Sequence, residues 1–152
     1  MKYSILAFLF LSACAFHPVY TNKTRENVCV ETIPNEAGYR LYQQLQQHFP
    51  ETEKCLYTLS VNTPSYTFSD QSISDKDFIT TQYISASTHY TLKDKNKQVV
   101  LKNGVSTGGS SAITSNPYAT VVAEEKTSKD LTVLLAEQIV LHVCAFLDEE
   151  NK

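Results

Sequence analysis

Four cysteines, Cys14, Cys29, Cys55 and Cys144, and four histidines, His17, His48, His89 and His142, are the metal-binding and nucleophilic candidates in this 152-residue chain. Capturing a metal calls for close ligand pairs such as C-x-x-C or H-x-x-x-H, and neither spacing occurs. The glycine-rich Thr107-Gly108-Gly109-Ser110-Ser111 has neither the lysine nor the spacing of a phosphate-binding loop. No nucleophile elbow is present. The expectation is therefore a protein that is not an enzyme and needs no cofactor or metal. A different chemistry is offered by residues 92 to 104, where Lys93, Lys95, Lys97 and Lys102 stand against Asp94 alone, a local charge of +3. From residue 105 onward three lysines face seven acids, a charge of −4. A cationic turn suits an anionic ligand, each lysine acting as a point charge whose pull weakens with salt. The competing reading is that solvated lysines merely discourage edge-to-edge strand pairing.

Cys14 stands apart from the other thiols. Ahead of it come Lys2, the apolar run Ile5 to Leu11, and the small residues Ser12 and Ala13. A bilayer span takes about 18 apolar residues, so this run is too short to cross one. A charged start, apolar middle and small-residue exit instead describe an export signal. Leu11-Ser12-Ala13-Cys14 resembles the lipoprotein box of bacteria. In that motif the thiol receives a diacylglyceryl group, the preceding peptide is removed, and the new amino terminus is acylated. The expectation is a signal at 1–13 and a lipid on Cys14. Two or three acyl chains hold a protein stably at a membrane surface, where one holds it only marginally. By the lipoprotein sorting rule an aspartate after the cysteine retains a protein at the inner membrane. Ala15 implies the periplasmic face of the outer membrane.

Removing 13 residues leaves 139, the size of one domain, with 12 basic and 16 acidic side chains. That acidic balance argues against a nucleic-acid partner. Cys29, Cys55 and Cys144 remain, and an odd number permits at most one internal disulfide; the pairing stays open.

Residues 14–27 read as a tether and 28–148 as a single domain. Val28 to Ile33 is a β-rich run stopped by Pro34. Asn35 can cap a helix carrying Leu41, Leu45 and Phe49 on one face and glutamines on the other, ended by Pro50. Cys55, Tyr57, Leu59 and Val61 alternate as a half-buried strand. The Ser-, Thr- and Asp-rich segment 63–78 has weak periodicity and reads as an irregular or hairpin-like connection. Ile84, Ala86, Thr88, Tyr90 and Leu92 then share one strand face, opposite Tyr83, Ser85, Ser87 and His89. A charged turn leads into a further strand, where Gly104, Gly108 and Gly109 predict bulging or close approach of a neighbour. Asn116-Pro117 begins a long helix with Val121, Leu131, Leu135, Ile139, Val143 and Phe146 in one stripe. The expected fold is α+β, two helices packed on one face of a four-stranded mixed sheet in the order β-α-β-β-β-α. The first two strands are joined through a helix and can be parallel.

Two stretches together carry a family resemblance. "CAFHPVY" is similar to the mature start of the lipopolysaccharide-assembly lipoproteins called LptE, Cys-Gly-Phe-x-Pro-Leu-Tyr, with Ala15 and Val19 as departures. "NPYATVVAEEKTSKDLTVLLAEQI" resembles the opening of that family's final helix in its alphaproteobacterial style. The order of elements agrees over the mature chain, while Cys29, Cys55, Cys144 and the 63–78 loop are not family features. The resemblance implies a protein that plugs and helps assemble the β-barrel partner LptD and contacts lipopolysaccharide. Lys93, Lys95, Lys97 and Lys102 are then candidate contacts for lipopolysaccharide phosphates. The alternative is an accessory lipoprotein of an ABC-type lipid transport system. A carrier with a hydrophobic cavity ranks behind both, because one helix-covered sheet offers too few inward aromatics to line a void.

Overall fold

The computed structural model describes residues 27–73 and 79–150. The expected signal at 1–13, Cys14, His17 and nearly all of the 14–27 tether lie outside the described residues. The elements run β1 (Val28–Val30), α1 (Asn35–His48), β2 (Tyr57–Val61), β3 (Ser65–Ile73), β4 (Ile79–Asp94), β5 (Val99–Ala112) and α2 (Pro117–Glu150). The fold is α+β, with both helices on one face of a mixed sheet.

β4 organises that sheet. Its alternation buries Ile84, Ala86, Thr88, Tyr90 and Leu92 against the helices, as expected from their spacing. β2 pairs antiparallel with its last five residues, and β3 pairs antiparallel with its first half, so the two share one edge of β4. β5 pairs antiparallel along the other edge, from Thr81 opposite Ala112 to Lys93 opposite Val99. β1 adds to β2 in parallel, Val28 opposite Tyr57, the crossover being α1.

The sheet has five strands, not four. The extra one is β3, within the segment expected to be irregular or hairpin-like, and its antiparallel pairing with the next strand is of the second kind. Its hydrophobic alternation is faint because Tyr66 and Phe68 are followed by the polar run Ser69 to Ser72, and Phe68 remains half exposed. The decisive contacts are distant in sequence: Tyr66 lies opposite Ala86, and its hydroxyl meets that of Thr132 on α2 at 2.6 Å.

α1 buries Leu41 and Leu45 at helical spacing, with Phe49 buried just past its end. Asn35 does not cap it. The residue before the helix is Pro34, no side chain caps the amino end, and Asn35 itself takes a left-handed φ of 68°. The sharp turn out of Pro34 needs that conformation, which asparagine tolerates. The other helix starts as read: Asn116 Oδ1 accepts the Tyr118 N–H at 3.0 Å, and Pro117 is the first helical residue. Leu131, Leu135, Ile139 and Val143 are buried every fourth residue. Val121, expected in the same stripe, is 59 % exposed, and Phe146 only partly buried. Thr127 and Leu131 sit over Gly109, and β5 ends at Ala112, so the first turns of α2 extend past the sheet. Long and apolar enough to cross a membrane by composition alone, α2 has half of its most apolar window buried in this domain.

The disulfide is Cys29–Cys55, with Cα atoms 5.5 Å apart, and Cys144 is buried on α2. It ties β1 to the chain just before β2, closing the segment that contains α1. Tyr90, the largest fully buried side chain, places its hydroxyl 3.0 Å from His142 Nδ1. Burial pushes its phenol up to about 12, against a side-chain hydrogen bond with Asn103 that lowers it.

Two predictions follow from these contacts. A disulfide over a separation of 26 residues stabilises by about 3 kcal/mol in the chain-entropy account, so Cys29→Ser with Cys55→Ser should lower the unfolding free energy by that order. Urea denaturation checks it; no loss would mean the β1–β2 ladder holds unaided. Tyr90 stays protonated in the fold to about pH 12, while an unfolded tyrosine ionises near about pH 10. The unfolded state therefore binds fewer protons in that window, and stability, fully present below it, falls as pH rises by up to about 2–3 kcal/mol. Tyr90→Phe should lack this part of the alkaline loss when both proteins are denatured across the window. Equal loss in both would place the sensitivity elsewhere.

Candidate functional site: a cationic hairpin tip beside a hydroxyl-rich sheet face

The tip joining β4 to β5 is built around one carboxylate. Asp94 Oδ1 accepts the backbone N–H groups of Asn96 at 2.9 Å and Gln98 at 2.8 Å. Its own N–H donates to the Gln98 carbonyl, and its carbonyl accepts the Lys97 N–H, both at 2.9 Å. Lys97 takes a left-handed φ of 63°, and the ladder slips register between Leu92 and Lys93. Oδ1 of the tip's single acid is thus held by the turn's own backbone, while Oδ2 accepts the Asn96 side-chain amide at 3.3 Å.

The hairpin brings all four candidate lysines to one end of the molecule. Lys95 and Lys97 project from the turn and are exposed. Lys93 lies opposite Thr58 of β2, and Lys102 opposite Thr91 of β4, so both fall on the sheet face away from the helices, diagonal to one another. Among the described residues no ion pair engages any of the four; the salt bridges link Arg40 with Glu36 and Glu125, and Lys129 with Glu125. Acid is close by, since Glu150 ends α2 beside Tyr57 and accepts its hydroxyl at 2.8 Å. That bond, and then burial, raises the Tyr57 phenol above its ordinary value. This pairing joins the end of α2 to β2, opposite Asp94.

The sheet face running away from the lysines carries no helix. Register sets Ser60 opposite Thr91, Thr67 opposite Ser85, and Ser87 between Ser65 and Ser106. Tyr83 and His89 are its large side chains, and they lie over glycines. A Cβ at Gly108 would overlap the Tyr83 phenol, and one at Gly104 would come within 3.0 Å of the His89 ring. Close approach, one of the two expectations for these glycines, is what occurs. The ladder's irregularity lies instead at Leu92 and Lys93. Among the side chains described, the result is an array of hydroxyl donors and acceptors, with charge at the lysine end. It can bind a polar surface or water over a wide area.

The alternation of Tyr83, Ser85, Ser87 and His89 made part of this face legible in advance, but its width depends on β3, which the sequence left open between an irregular and a hairpin-like connection. The histidines stay apart. His48 ends α1, His89 lies on the open face, and His142 meets Tyr90. No group of three or more metal-ligating side chains occurs among the described residues. Surface hollows lie elsewhere: one of about 490 Å³ beside the disulfide, lined by Phe49, Glu51 and Glu53, and one of about 260 Å³ between the helices, lined by Arg40, Gln43, Gln44 and Lys129.

No family model matches the chain, and no curated protein does. Solved structures do. The chain is similar to the rare lipoprotein B of Shewanella oneidensis, with a TM-score of 0.67 and 10% identity over 82% of this chain and 98% of that one. It is similar to a protein of Caulobacter crescentus CB15 described as a lipoprotein, with a TM-score of 0.65 and 18% identity over 84% of this chain and 95% of that one. A minor lipoprotein of Acinetobacter baumannii gives 0.60 and 16% over 79% of this chain and 92% of that one. Across nearly the whole length of each of these proteins, the chain shares the fold of solved bacterial lipoproteins.

Proposed function

We propose that this chain is a lipoprotein of the LptE type, in its alphaproteobacterial style, anchored through Cys14 on the periplasmic side of the outer membrane. In this reading it is not an enzyme. It plugs and helps assemble an LptD-type β-barrel and touches lipopolysaccharide in transit. The observation that carries the reading is the likeness in fold to solved lipoproteins, which extends over 92% or more of each neighbour described above. Taken with the lipoprotein-box sequence ahead of Cys14, it supports a folded domain carried on a lipid anchor. The uncharged hydroxyl face supports the plug, because the interior of a large barrel is polar and water-filled. The lysine tip, with Asp94 committed to its own turn, supports contact with phosphate and carboxylate groups of a lipopolysaccharide core.

Tagged full chain, recovered from detergent-solubilised membranes, should bring with it a heat-modifiable outer-membrane barrel at equal stoichiometry. Recovery of inner-membrane transporter subunits alone would instead assign the chain to an ABC-type lipid transport system. For the ligand, the triple change of Lys93, Lys95 and Lys97 to Ser removes three exposed or half-exposed charges, each contributing up to about 1 kcal/mol at a surface. Affinity for purified lipopolysaccharide should fall roughly tenfold at low salt and less at physiological salt, where charges beyond about 8 Å are screened. Unchanged affinity at both would move the contact off the hairpin.

A further inference from the structure

On the face of the sheet that carries no helix, two aromatic side chains are seated on glycines. The His89 ring lies over Gly104, its partner across the ladder, and the Tyr83 phenol over Gly108, the partner of Ser85. Glycine inside a strand weakens it, through backbone entropy and a missing side chain, so each seat is a local cost. What that cost permits is a ring resting on bare backbone, since a Cβ at either position would crowd it. The opposite side of each ring is left toward solvent: His89 is exposed and Tyr83 half-buried. Strands rise about 3.4 Å per residue, so seats at Gly104 and Gly108 stand roughly 14 Å apart along the ladder.

Between the seats runs a row of hydroxyls. Ser65, Ser87 and Ser106 lie side by side on β3, β4 and β5, and all three are exposed. Beyond His89 the same face ends in Lys93 and Lys102. These three kinds of group suit three parts of one kind of molecule. The C–H bonds on one side of a sugar ring make a weakly apolar surface of slightly positive hydrogens, and an aromatic ring offers its negative π face to them. Sugar hydroxyls donate and accept hydrogen bonds, as serine does. Phosphate and carboxylate substituents are drawn to ammonium groups. Other ligands fit less well. A peptide strand adds to a sheet edge rather than lying across a face whose backbone is already paired, and an acyl chain calls for an apolar groove where this stretch offers serines.

We propose that this stretch of the open face binds an anionic oligosaccharide, its sugar rings stacked on Tyr83 and His89, its hydroxyls bonded to Ser65, Ser87 and Ser106, and its acidic substituents held at Lys93 and Lys102. The inference rests on the lipopolysaccharide reading above and deepens it, assigning the saccharide chain to the sheet face and its charges to the lysines. It asks for no second copy of the chain and keeps the plug, because a ligand passing between plug and wall meets this polar face. The competing account is that the rings only cover glycine backbone and stabilise the ladder. Removing a ring would then lower stability and leave binding unchanged.

The test is calorimetric titration of the full chain, in detergent, with the oligosaccharide released from purified lipopolysaccharide by mild acid, a probe without acyl chains. The wild type should bind it saturably. Y83S and H89S should each weaken binding about fivefold, the order of one aromatic contact, while Y83F, which keeps the ring, should bind as the wild type does. S87E keeps both rings and sets a carboxylate between them; like charge against the anionic probe should weaken binding about tenfold or more. Circular dichroism and urea denaturation of each variant separate a lost contact from a lost fold, and if Y83S or H89S fails to fold, S87E carries the expectation. Affinity indifferent to Y83S, H89S and S87E would overturn the proposal. Whole lipopolysaccharide bound but its oligosaccharide not would overturn it too and leave the lysine contact standing, whereas binding of neither would overturn both.

Discussion

Burial of one face of β4 against α2 is the constraint on which the other elements depend. Ile84, Ala86, Thr88, Tyr90 and Leu92 point to the helices, and Leu131, Leu135, Ile139 and Val143 come down upon the sheet. Once that layer forms, β4 offers two edges to hydrogen bonding, and β2, β3 and β5 take positions dictated by the ladder. β1 and α1 follow because β1 can only add to β2, and the disulfide holds that junction. Deleting a large side chain from such a layer typically costs about 2–5 kcal/mol, a substantial part of the stability of a domain this size.

A one-sided core has a consequence for function. With both helices on the same face, the other face of the sheet is free to be polar, and the side chains described on it are mostly so. Hydroxyls and glycines predominate there, charge is gathered at the hairpin end, and Tyr83 and His89 lie flat across glycine backbone. Such a face satisfies its hydrogen bonds with water when alone and with a polar wall when enclosed, at little cost in exchange. That property is what a plug in a hydrated barrel requires. Asp94 contributes indirectly: by accepting the N–H groups of Asn96 and Gln98 it shapes the tip that carries the lysines.

The rim of the molecule contrasts with this face. Among the described residues no second strand pairs with β5, and Leu134 and Leu141 of α2 are exposed.

Local periodicity alone determined much of this protein: the alternating face of β4, the four-residue spacing of α1 and α2, the Asn116-Pro117 helix start and the α+β class are all set by residues within a few positions of each other. The apolar run and small residues ahead of Cys14 likewise carry the expected anchor without any fold. What tertiary structure decided lies where the local signal was weak or several outcomes were compatible. Ser65–Ile73 becomes a strand only because β4 supplies the ladder and Thr132 a partner for Tyr66. Cys29 rather than Cys144 meets Cys55 because parallel pairing of β1 with β2 brings the two within 5.5 Å. Val121 keeps the spacing of a core residue and is exposed, since periodicity records which side of a helix is apolar but not where the sheet beneath it ends.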